Sequence, residues 1–182
     1  MVSQQRIFPA ARTMKEFKDL LKSDFEFIIF LDIHISQLHQ IGELAREHGK
    51  KLFIHLDLVQ GLTGDKYGVE FAKSVCNPYG ILSTKPNVIL AAKQKGMVTV
   101  QRVFLLDSRS FKKSCALLEK TAPDFIELLP GALTKMIVQF KEAIDIPILA
   151  GGFIENREEV EAALLAGAVG ITTSRKELWG NS

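Results

Sequence analysis

The feature that most constrains this chain is a repeated alternation of short apolar runs with amphipathic stretches of helical length. The apolar runs of strand length cover residues 27–33, 52–58, 79–83, 98–106, 124–129, 146–150 and 169–173. Helical patterns separate these runs at residues 35–48, 66–75, 86–95, 109–120, 131–143 and 156–166. Successive parallel strands need a helical crossover between them, and this spacing provides one each time. The pattern therefore predicts a parallel sheet covered by helices.

The first segment of the chain adds one more unit, with a strand at 7–10 and a helix at 13–22. Pro9 lies in this strand and has no N–H to donate, so the first unit is expected to be the least regular. Eight such units predict an α/β fold, a closed (β/α)8 barrel of the TIM type. A typical barrel has roughly 250 residues, whereas this chain has 182, so its loops should be short. An open, doubly wound sheet is the alternative.

The composition is that of a globular protein, with 47% hydrophobic and 24% charged residues, and it predicts a single domain over residues 1–182. A net charge of +2 permits an anionic partner without requiring one. No apolar run reaches about 18 residues and the N-terminus lacks a signal-peptide core, so we expect a cytoplasmic protein. Cys76 and Cys115 form no metal-binding motif, and no cofactor is expected.

Two small motifs at the ends of the last two predicted strands indicate a phosphate site. Gly151 and Gly152 follow one strand, and Thr172, Thr173 and Ser174 follow the next. The corresponding loops of TIM barrels often bind phosphate. Glycine lets an anion approach the main chain, the hydroxyls can donate, and a helix expected after Ser174 would add its free N–H groups. A tight turn and a helix cap would explain either motif alone, but the pair of motifs predicts phosphate binding.

Polar residues also gather near the carboxyl ends of the other predicted strands. These residues are Asp32, His55, Asp57, Lys85, Arg102 and Glu127. Residues two apart on a strand share a face, so His55 and Asp57 are expected to lie together. Each of the six could be a satisfied polar group of the core, but a buried charge needs a partner, from the protein or from a ligand. A ring of such groups suits a small polyol phosphate. A metal held by Asp32, Asp57 and Glu127 is less favoured, because no tight ligand spacing marks it.

Several motifs in one order resemble the glycerol uptake operon antiterminator regulatory proteins. The motifs are LDIH, HLDLVQG, GILSTKPNVILAAKQKG, QRVFLLDS, ELLPG, IPILAGGFI and AGAVGITTS, and the resemblance extends from FPAAR to the final LW. It implies a TIM-like barrel that binds glycerol 3-phosphate, acts on the leader of a messenger RNA and prevents premature termination, without catalysis. It also implies that both groups of residues above form the ligand site. It identifies no RNA-binding surface and leaves open whether the protein is a homo-oligomer.

The residues themselves support RNA binding only through basic pairs, since no RRM or KH signature is present. Lys93 with Lys95, and Lys112 with Lys113, lie on consecutive predicted helices and would form one basic patch if they are adjacent. Solvated helix faces are the alternative explanation.

A second function on the same scaffold stays open, namely that of a small phospho-sugar isomerase, aldolase or lyase. His55, Asp57 and Lys85 would then be the groups available for acid–base chemistry. The fold hosts both enzymes and binding proteins, so it does not decide between them. Short loops argue against the enzyme, because they leave little material for a lid that excludes water.

Overall fold

Parallel strands form a closed barrel in the computed structural model, which describes residues 5–105 and 108–180. Each strand pairs with the next along the chain, and the last strand pairs with the first. The strands are β1 (Ile7–Ala11), β2 (Phe27–Phe30), β3 (Lys51–His55), β4 (Gly80–Ser83), β5 (Val98–Phe104), β6 (Phe125–Leu129), β7 (Ile148–Gly151) and β8 (Gly170–Thr173). The predicted (β/α)8 barrel is confirmed, and the open sheet is excluded.

The contact between β1 and β8 closes the barrel, and β1 is more regular than its proline suggested. Phe8 is in register with Thr172, and Pro9 with Thr173. Carbonyls on either side of Pro9 accept hydrogen bonds from the adjacent strands. Arg6 O accepts from Ile171 N at 2.7 Å, and Ala11 O accepts from Leu31 N at 2.9 Å. The strand therefore tolerates Pro9, since its hydrogen bonds at both edges come from flanking residues.

A helix follows each of the first seven strands. The helices are α1 (Met14–Leu21), α2 (Leu38–Glu47), α3 (Lys66–Val75), α4 (Pro86–Gln94), α5 (Ser108–Thr121), α6 (Thr134–Ala143) and α7 (Arg157–Leu165). Local signals set several of these boundaries. Pro86 begins α4, where its missing N–H is harmless, and the Asn156 side chain caps α7 by accepting from Glu159 N at 2.9 Å.

The strands are buried on both faces, as expected for a parallel sheet inside a layer of helices. One set of side chains fills the barrel interior, including Phe8, Phe27, Phe53 and Leu149. The alternate side chains, such as Ile28 and Ile126, face outwards and pack against the helices in two further apolar clusters. Interior positions near the carboxyl ends of β5 and β6 are instead occupied by Arg102 and Glu127.

Two strands end earlier than their apolar runs, and this changes two predicted positions. β2 ends at Phe30 and β3 ends at His55. Asp32 therefore lies in the loop after β2, and Asp57 lies in a 3-10 turn, Leu56–Leu58. The prediction that His55 and Asp57 share one strand face is wrong, because the chain turns directly after His55. The residues directly after these strands, such as Leu56, are also buried and apolar. Hydrophobicity alone therefore did not show where each strand ends.

Candidate ligand site at the barrel mouth

A cavity of about 320 Å³ opens at the carboxyl ends of the strands. This volume is at the lower end of the range for small-molecule sites. Seven of the predicted site residues line it, namely Asp32, Arg102, Glu127, Gly152, Thr172, Thr173 and Ser174. The tertiary structure thus brings together residues from five strands or their loops, which the sequence separates by up to 142 residues.

The loop after β7 presents main-chain donors to this cavity. Gly152 and Phe153 both have positive φ, +73° and +59°, and Gly152, Phe153 and Ile154 all line the cavity. Within the described residues, the N–H groups of these three residues donate no hydrogen bond. Consecutive free N–H groups in a left-handed turn form a concave site that suits an anion. The predicted role of Gly152 in anion binding thus has a geometric basis in the loop's backbone.

Gly151 has a different position from Gly152, although the two are adjacent in sequence. It is the last residue of β7, in register with Thr172, and it is not among the residues that line the cavity. A Cβ at Gly151 would overlap Thr172 Oγ1 and come within 2.9 Å of Glu127 Oε1. Its glycine therefore leaves room for the contact between those two side chains.

The last two residues of β8 and Ser174 directly after it contribute hydroxyl groups, but two of the three hydroxyls already have protein partners. Thr172 Oγ1 donates to Glu127 Oε1 at 2.5 Å, and Thr173 Oγ1 accepts from Arg175 N at 3.1 Å. Ser174 is exposed, and within the described chain neither its N–H nor its hydroxyl is hydrogen-bonded. The expected helix after Ser174 is only a 3-10 turn, Lys176–Leu178, so the predicted contribution of a helix N-terminus is wrong.

An ion pair forms one wall of the cavity. Arg102 Nε donates to Glu127 Oε2 at 2.5 Å, and the two side chains are 15% and 2% exposed. Glu127 therefore holds Arg102 with one carboxylate oxygen and Thr172 with the other. The pair satisfies two charges that would be costly to bury separately. It also leaves part of the Arg102 guanidinium available to an anion in the cavity.

His55 lies inside the barrel beneath the mouth and does not line the cavity. It is 2% exposed, and within the described residues neither ring nitrogen has a hydrogen-bond partner. Burial, and then the charge of Arg102, lower the pKa of His55 to about 4, although Asp57 and Glu127 act in the opposite direction. The imidazole is consequently neutral near pH 7.

Asp57 and Lys85 also lie outside the cavity lining. Asp57 Oδ1 accepts from Ser83 Oγ at 2.7 Å, and its Oδ2 accepts from the N–H and hydroxyl of Thr84 at 2.7 and 2.8 Å. Burial alone would raise the pKa of Asp57, but these hydrogen bonds outweigh it and hold the pKa below its ordinary value. Lys85 is exposed, and its ammonium group lies beside Gly64. Asp57 thus connects the turn after β3 to the end of β4, and Lys85 lies against the loop that contains Gly64.

Several residues that line the cavity were not predicted from the sequence, among them Arg12, Phe153 and Arg175. Arg12 is exposed, and its guanidinium has no ion pair or hydrogen bond within the described residues. Arg175 forms an ion pair with Glu155 at 2.6 Å, which connects the loops after β7 and β8. Arg12 could have been predicted from its position directly after β1, because polar residues at the carboxyl ends of the other strands were predicted to line the mouth.

The predicted RNA-binding lysines lie at different levels of the barrel. Lys93 is in the last turn of α4, where its Nζ donates to Ala122 O beyond the end of α5, and Lys95 pairs with Glu70 at 3.0 Å. Lys112 and Lys113 are exposed near the beginning of α5, about nine residues before Ala122. Nine residues correspond to roughly 14 Å along a helix. The two pairs thus lie near opposite ends of α5 rather than side by side.

The described residues contain no group of three or more His, Cys, Asp and Glu side chains that could hold a metal ion. Asp32 and Glu127 line the cavity, whereas Asp57 binds Ser83 and Thr84 instead.

Among the described residues, no helix has the length and apolar character needed to cross a membrane.

The comparisons with known proteins agree with this fold and show the family. A family model described as glycerol-3-phosphate responsive antiterminator matches residues 7–179. The chain belongs to this family. The resemblance inferred from the sequence motifs is therefore confirmed, and family membership supports a regulatory role.

Known relatives and solved structures cover nearly the whole chain. The crystal structure of a glycerol uptake operon antiterminator regulatory protein from Listeria monocytogenes str. 4b F2365 is 40% identical, with a TM-score of 0.94 over 97% of this chain and 96% of that one. A glycerol uptake operon antiterminator-related protein from Thermotoga maritima MSB8 is 26% identical, with a TM-score of 0.85 over 96% and 98% of the two chains. YgcP of Escherichia coli K12, an uncharacterized protein, is 30% identical over 98% of this chain and 94% of its own length.

Aldolases share the fold at lower similarity. The aldolase QR15 is 16% identical with a TM-score of 0.73 over 96% of this chain. At this identity the likeness concerns the barrel alone, because one fold hosts many unrelated functions.

Proposed function

We propose that the protein senses glycerol 3-phosphate in the mouth cavity and, in response, binds the leader of a messenger RNA to cause transcription antitermination of glycerol catabolism genes. The observation that carries the ligand assignment is the convergence of free N–H groups and guanidinium groups on one small cavity. Gly152, Phe153 and Ile154 supply the N–H groups, and Arg12 and Arg102 supply the positive charge. Family membership supports the regulatory part of the proposal.

The phosphate group is assigned to the loops after β7 and β8. The free N–H groups there, together with Ser174, can donate to a phosphate's oxygens without breaking an existing hydrogen bond in the described chain. Glu16 accepts from the Arg12 main-chain N–H, but the Arg12 guanidinium has no ion pair within the same residues, so it can pair with the phosphate directly. The polyol end would then extend towards Asp32, Arg102 and Glu127, whose charged groups can bind hydroxyls.

The same cavity argues against the enzymatic alternative. The groups that acid–base chemistry would need are His55, Asp57 and Lys85, and none of them lines the cavity. Asp57 already accepts three hydrogen bonds, and the His55 ring is enclosed. A catalytic group must reach the proton it transfers, directly or through one water. We therefore infer a binding protein rather than an isomerase, aldolase or lyase, acting in the cytoplasm where messenger RNA is made.

The test is a titration of a labelled leader transcript with the protein at fixed salt, with and without glycerol 3-phosphate. We expect the ligand to raise RNA affinity, and calorimetry should show that glycerol binds far more weakly, because charge-assisted hydrogen bonds are roughly twice as strong as neutral ones. Equal RNA affinity in both conditions, together with steady turnover of a triose or glycerol phosphate, would support the enzyme instead.

A further inference from the structure

A second cavity, of about 330 Å³, lies at the opposite end of the barrel from the mouth. The starts of β3 and β5, the ends of α2 and α3 and the loop before β4 enclose it. Four cationic side chains line it, namely Arg46, Lys50, Lys51 and Lys73, and among the described residues no carboxylate does. We call this the basal cavity.

The cations of the basal cavity are only partly neutralised. Lys51 pairs with Glu26 at 2.6 Å. Arg46 Nη1 donates to Cys76 O at 3.1 Å, and Lys50 Nζ donates to the carbonyls of Ser23 and Phe25. These carbonyls orient the side chains but carry no net charge. Lys73 has no ion pair or hydrogen bond in the described part of the chain.

Helix ends explain the location of some of these cations but not their convergence. Arg46 and Lys73 are in the last turns of α2 and α3, where a cation interacts favourably with the helix dipole. Lys50 and Lys51 are outside the helices, yet they line the same cavity. A concave surface with four cations and no lining carboxylate concentrates a positive potential that attracts an anion.

The basal cavity also has a fixed aromatic surface. Tyr79 lines it and is 39% exposed. Its ring packs edge-on against Phe27 and Phe53, with centroid distances of 5.7 and 5.4 Å, so its orientation is set before any ligand arrives. Lys51 Nζ lies 5.3 Å from the centre of the Tyr79 ring. Cations beside an exposed ring are the combination that binds single-stranded nucleic acid, through phosphate contacts and base stacking.

We infer that the basal cavity binds the single-stranded segment of the RNA partner, with Arg46 and Lys73 on its phosphates and Tyr79 stacked on one base. This inference rests on the proposed function, because it locates the surface that the proposed RNA would use. Lys95 lies next to Gly96, which lines the cavity, so one of the two predicted lysine pairs borders this surface. Lys112 and Lys113 lie near the other end of α5 and form no part of it.

The first experiment compares two double variants that remove the same charge. Arg46→Gln/Lys73→Gln should weaken binding of the labelled leader transcript roughly tenfold and flatten the dependence of log affinity on log salt by about 1.4 units, because two phosphate contacts on a single strand are lost. Lys112→Gln/Lys113→Gln is the matched control and should leave both quantities unchanged. Calorimetry with glycerol 3-phosphate should give the wild-type affinity for both variants, since the mouth is at the other end of the barrel.

The second experiment addresses the ring. Tyr79→Leu should lower transcript affinity without changing the salt dependence, whereas Tyr79→Phe should keep affinity, because it retains the stacking surface.

Three outcomes would contradict the proposal at different levels. If the control double variant lost RNA binding while Arg46→Gln/Lys73→Gln bound normally, RNA would not bind at the basal cavity, but the proposed function would stand. Competition by polyglutamate as effective as that by RNA would overturn the assignment to nucleic acid. Absence of transcript binding by the unsubstituted protein would overturn the proposed function, and the location with it.

Discussion

At the scale of single residues, Gly152 combines two properties that the anion site needs. Its φ of +73° is in the region that favours glycine, and it lines the cavity with an N–H that has no partner in the described chain. A side chain at this position would be strained, and its Cβ would lie 3.4 Å from Leu129, which also lines the cavity. The substitution Gly152→Asp therefore tests the site more directly than the loss of any one hydroxyl.

We expect Gly152→Asp to lower affinity for glycerol 3-phosphate roughly a hundredfold or more, because it adds a negative charge where the anion binds and strains the loop that donates to it. Isothermal calorimetry measures this. Gly49→Asp is the matched control, since Gly49 has a φ of +64° and open space around it but lies at the end of α2, away from the mouth. Unchanged affinity in Gly152→Asp would contradict the placement of the phosphate.

Arg12 is the cation of the mouth whose guanidinium has no carboxylate partner within the described residues. Arg12→Gln should weaken glycerol 3-phosphate binding roughly 10- to 100-fold, as expected for the loss of hydrogen bonds to a charged group. Lys15→Gln removes an exposed charge one helical turn away and should have little effect. If both variants bind equally well by calorimetry, Arg12 is not a phosphate ligand.

His55 gives the barrel interior a specific sensitivity to pH. Its pKa is lowered from the ordinary value to about 4 by burial and by Arg102. Above pH 6.5 the ring is neutral in both folded and unfolded chains, but between pH 6.5 and 4 the unfolded chain binds the proton more readily. The free energy of unfolding should therefore fall as pH falls through this window, by on the order of 3 kcal/mol from this group.

Denaturant unfolding at pH 7, 5.5 and 4.5 tests this contribution in wild-type protein and His55→Gln. The variant should lose most of the pH dependence in this window, whereas Asp57, with its pKa below the ordinary value, acts only at lower pH. His48→Gln is the control, because His48 is exposed at the end of α2. A parallel pH profile in His55→Gln and wild type would show that His55 is not the group responsible.

At the scale of elements, β5 and β6 are coupled through the Arg102–Glu127 pair as well as through their ladder. The two residues are in register, and Glu127 also accepts from Thr172 on β8. One carboxylate thus connects three strands around the mouth. The loops after β7 and β8 are connected by a second pair, Arg175 with Glu155, which is exposed and contributes much less.

Removing one partner of the Arg102–Glu127 pair should be more harmful than removing both. Glu127→Leu leaves the guanidinium without its partner and should lower the free energy of unfolding by about 3–5 kcal/mol. Glu127→Leu combined with Arg102→Met should cost much less, because no buried charge is left unpaired. Denaturant unfolding of the single and double variants at pH 7 measures the difference. Equal losses in the two variants would show that Arg102 gains compensation elsewhere.

At the scale of the whole molecule, the two cavities lie at opposite ends of one barrel. Glycerol 3-phosphate at the mouth and RNA at the basal cavity would not touch each other, so any influence must pass through the barrel as a shift between two states. A ligand shifts such a balance only by its differential affinity for the two states. Shared elements connect the sites, because β3 and β5 begin at the basal cavity and end near the mouth.

This arrangement predicts reciprocal coupling. Typical coupling energies of about 1–3 kcal/mol correspond to a rise in RNA affinity of roughly 5- to 150-fold when glycerol 3-phosphate is bound. By linkage, saturating leader transcript should tighten ligand binding by the same factor. Calorimetric titrations of the ligand with and without transcript measure the second factor, and fluorescence titrations of the transcript measure the first. Two independent affinities would mean that the sites are not coupled.

The sequence by itself determined the barrel, the family and part of the site. Each strand and the helix after it are short and are indicated by local sequence patterns. Eight parallel strands in this order form a closed barrel when the first strand pairs with the last. The position of Gly152, Thr172, Thr173 and Ser174 at one cavity was predictable, because the last strands of a closed barrel end side by side at its mouth. The ends of β2 and β3 were not predictable, because the buried residues that follow them, such as Leu31, Ile33 and Leu56, are as apolar as the strands.

Only the tertiary structure decided which polar residues face the mouth and where the other charges gather. Asp57 and Lys85 are at strand ends like Arg102, but hydrogen bonds with β4 turn Asp57 aside, and Lys85 lies against the loop at Gly64. The basal cavity collects Arg46, Lys50, Lys51 and Lys73 from two helix ends, a loop and a strand. Distances between elements depend on how the barrel closes, and no local pattern in the sequence records them.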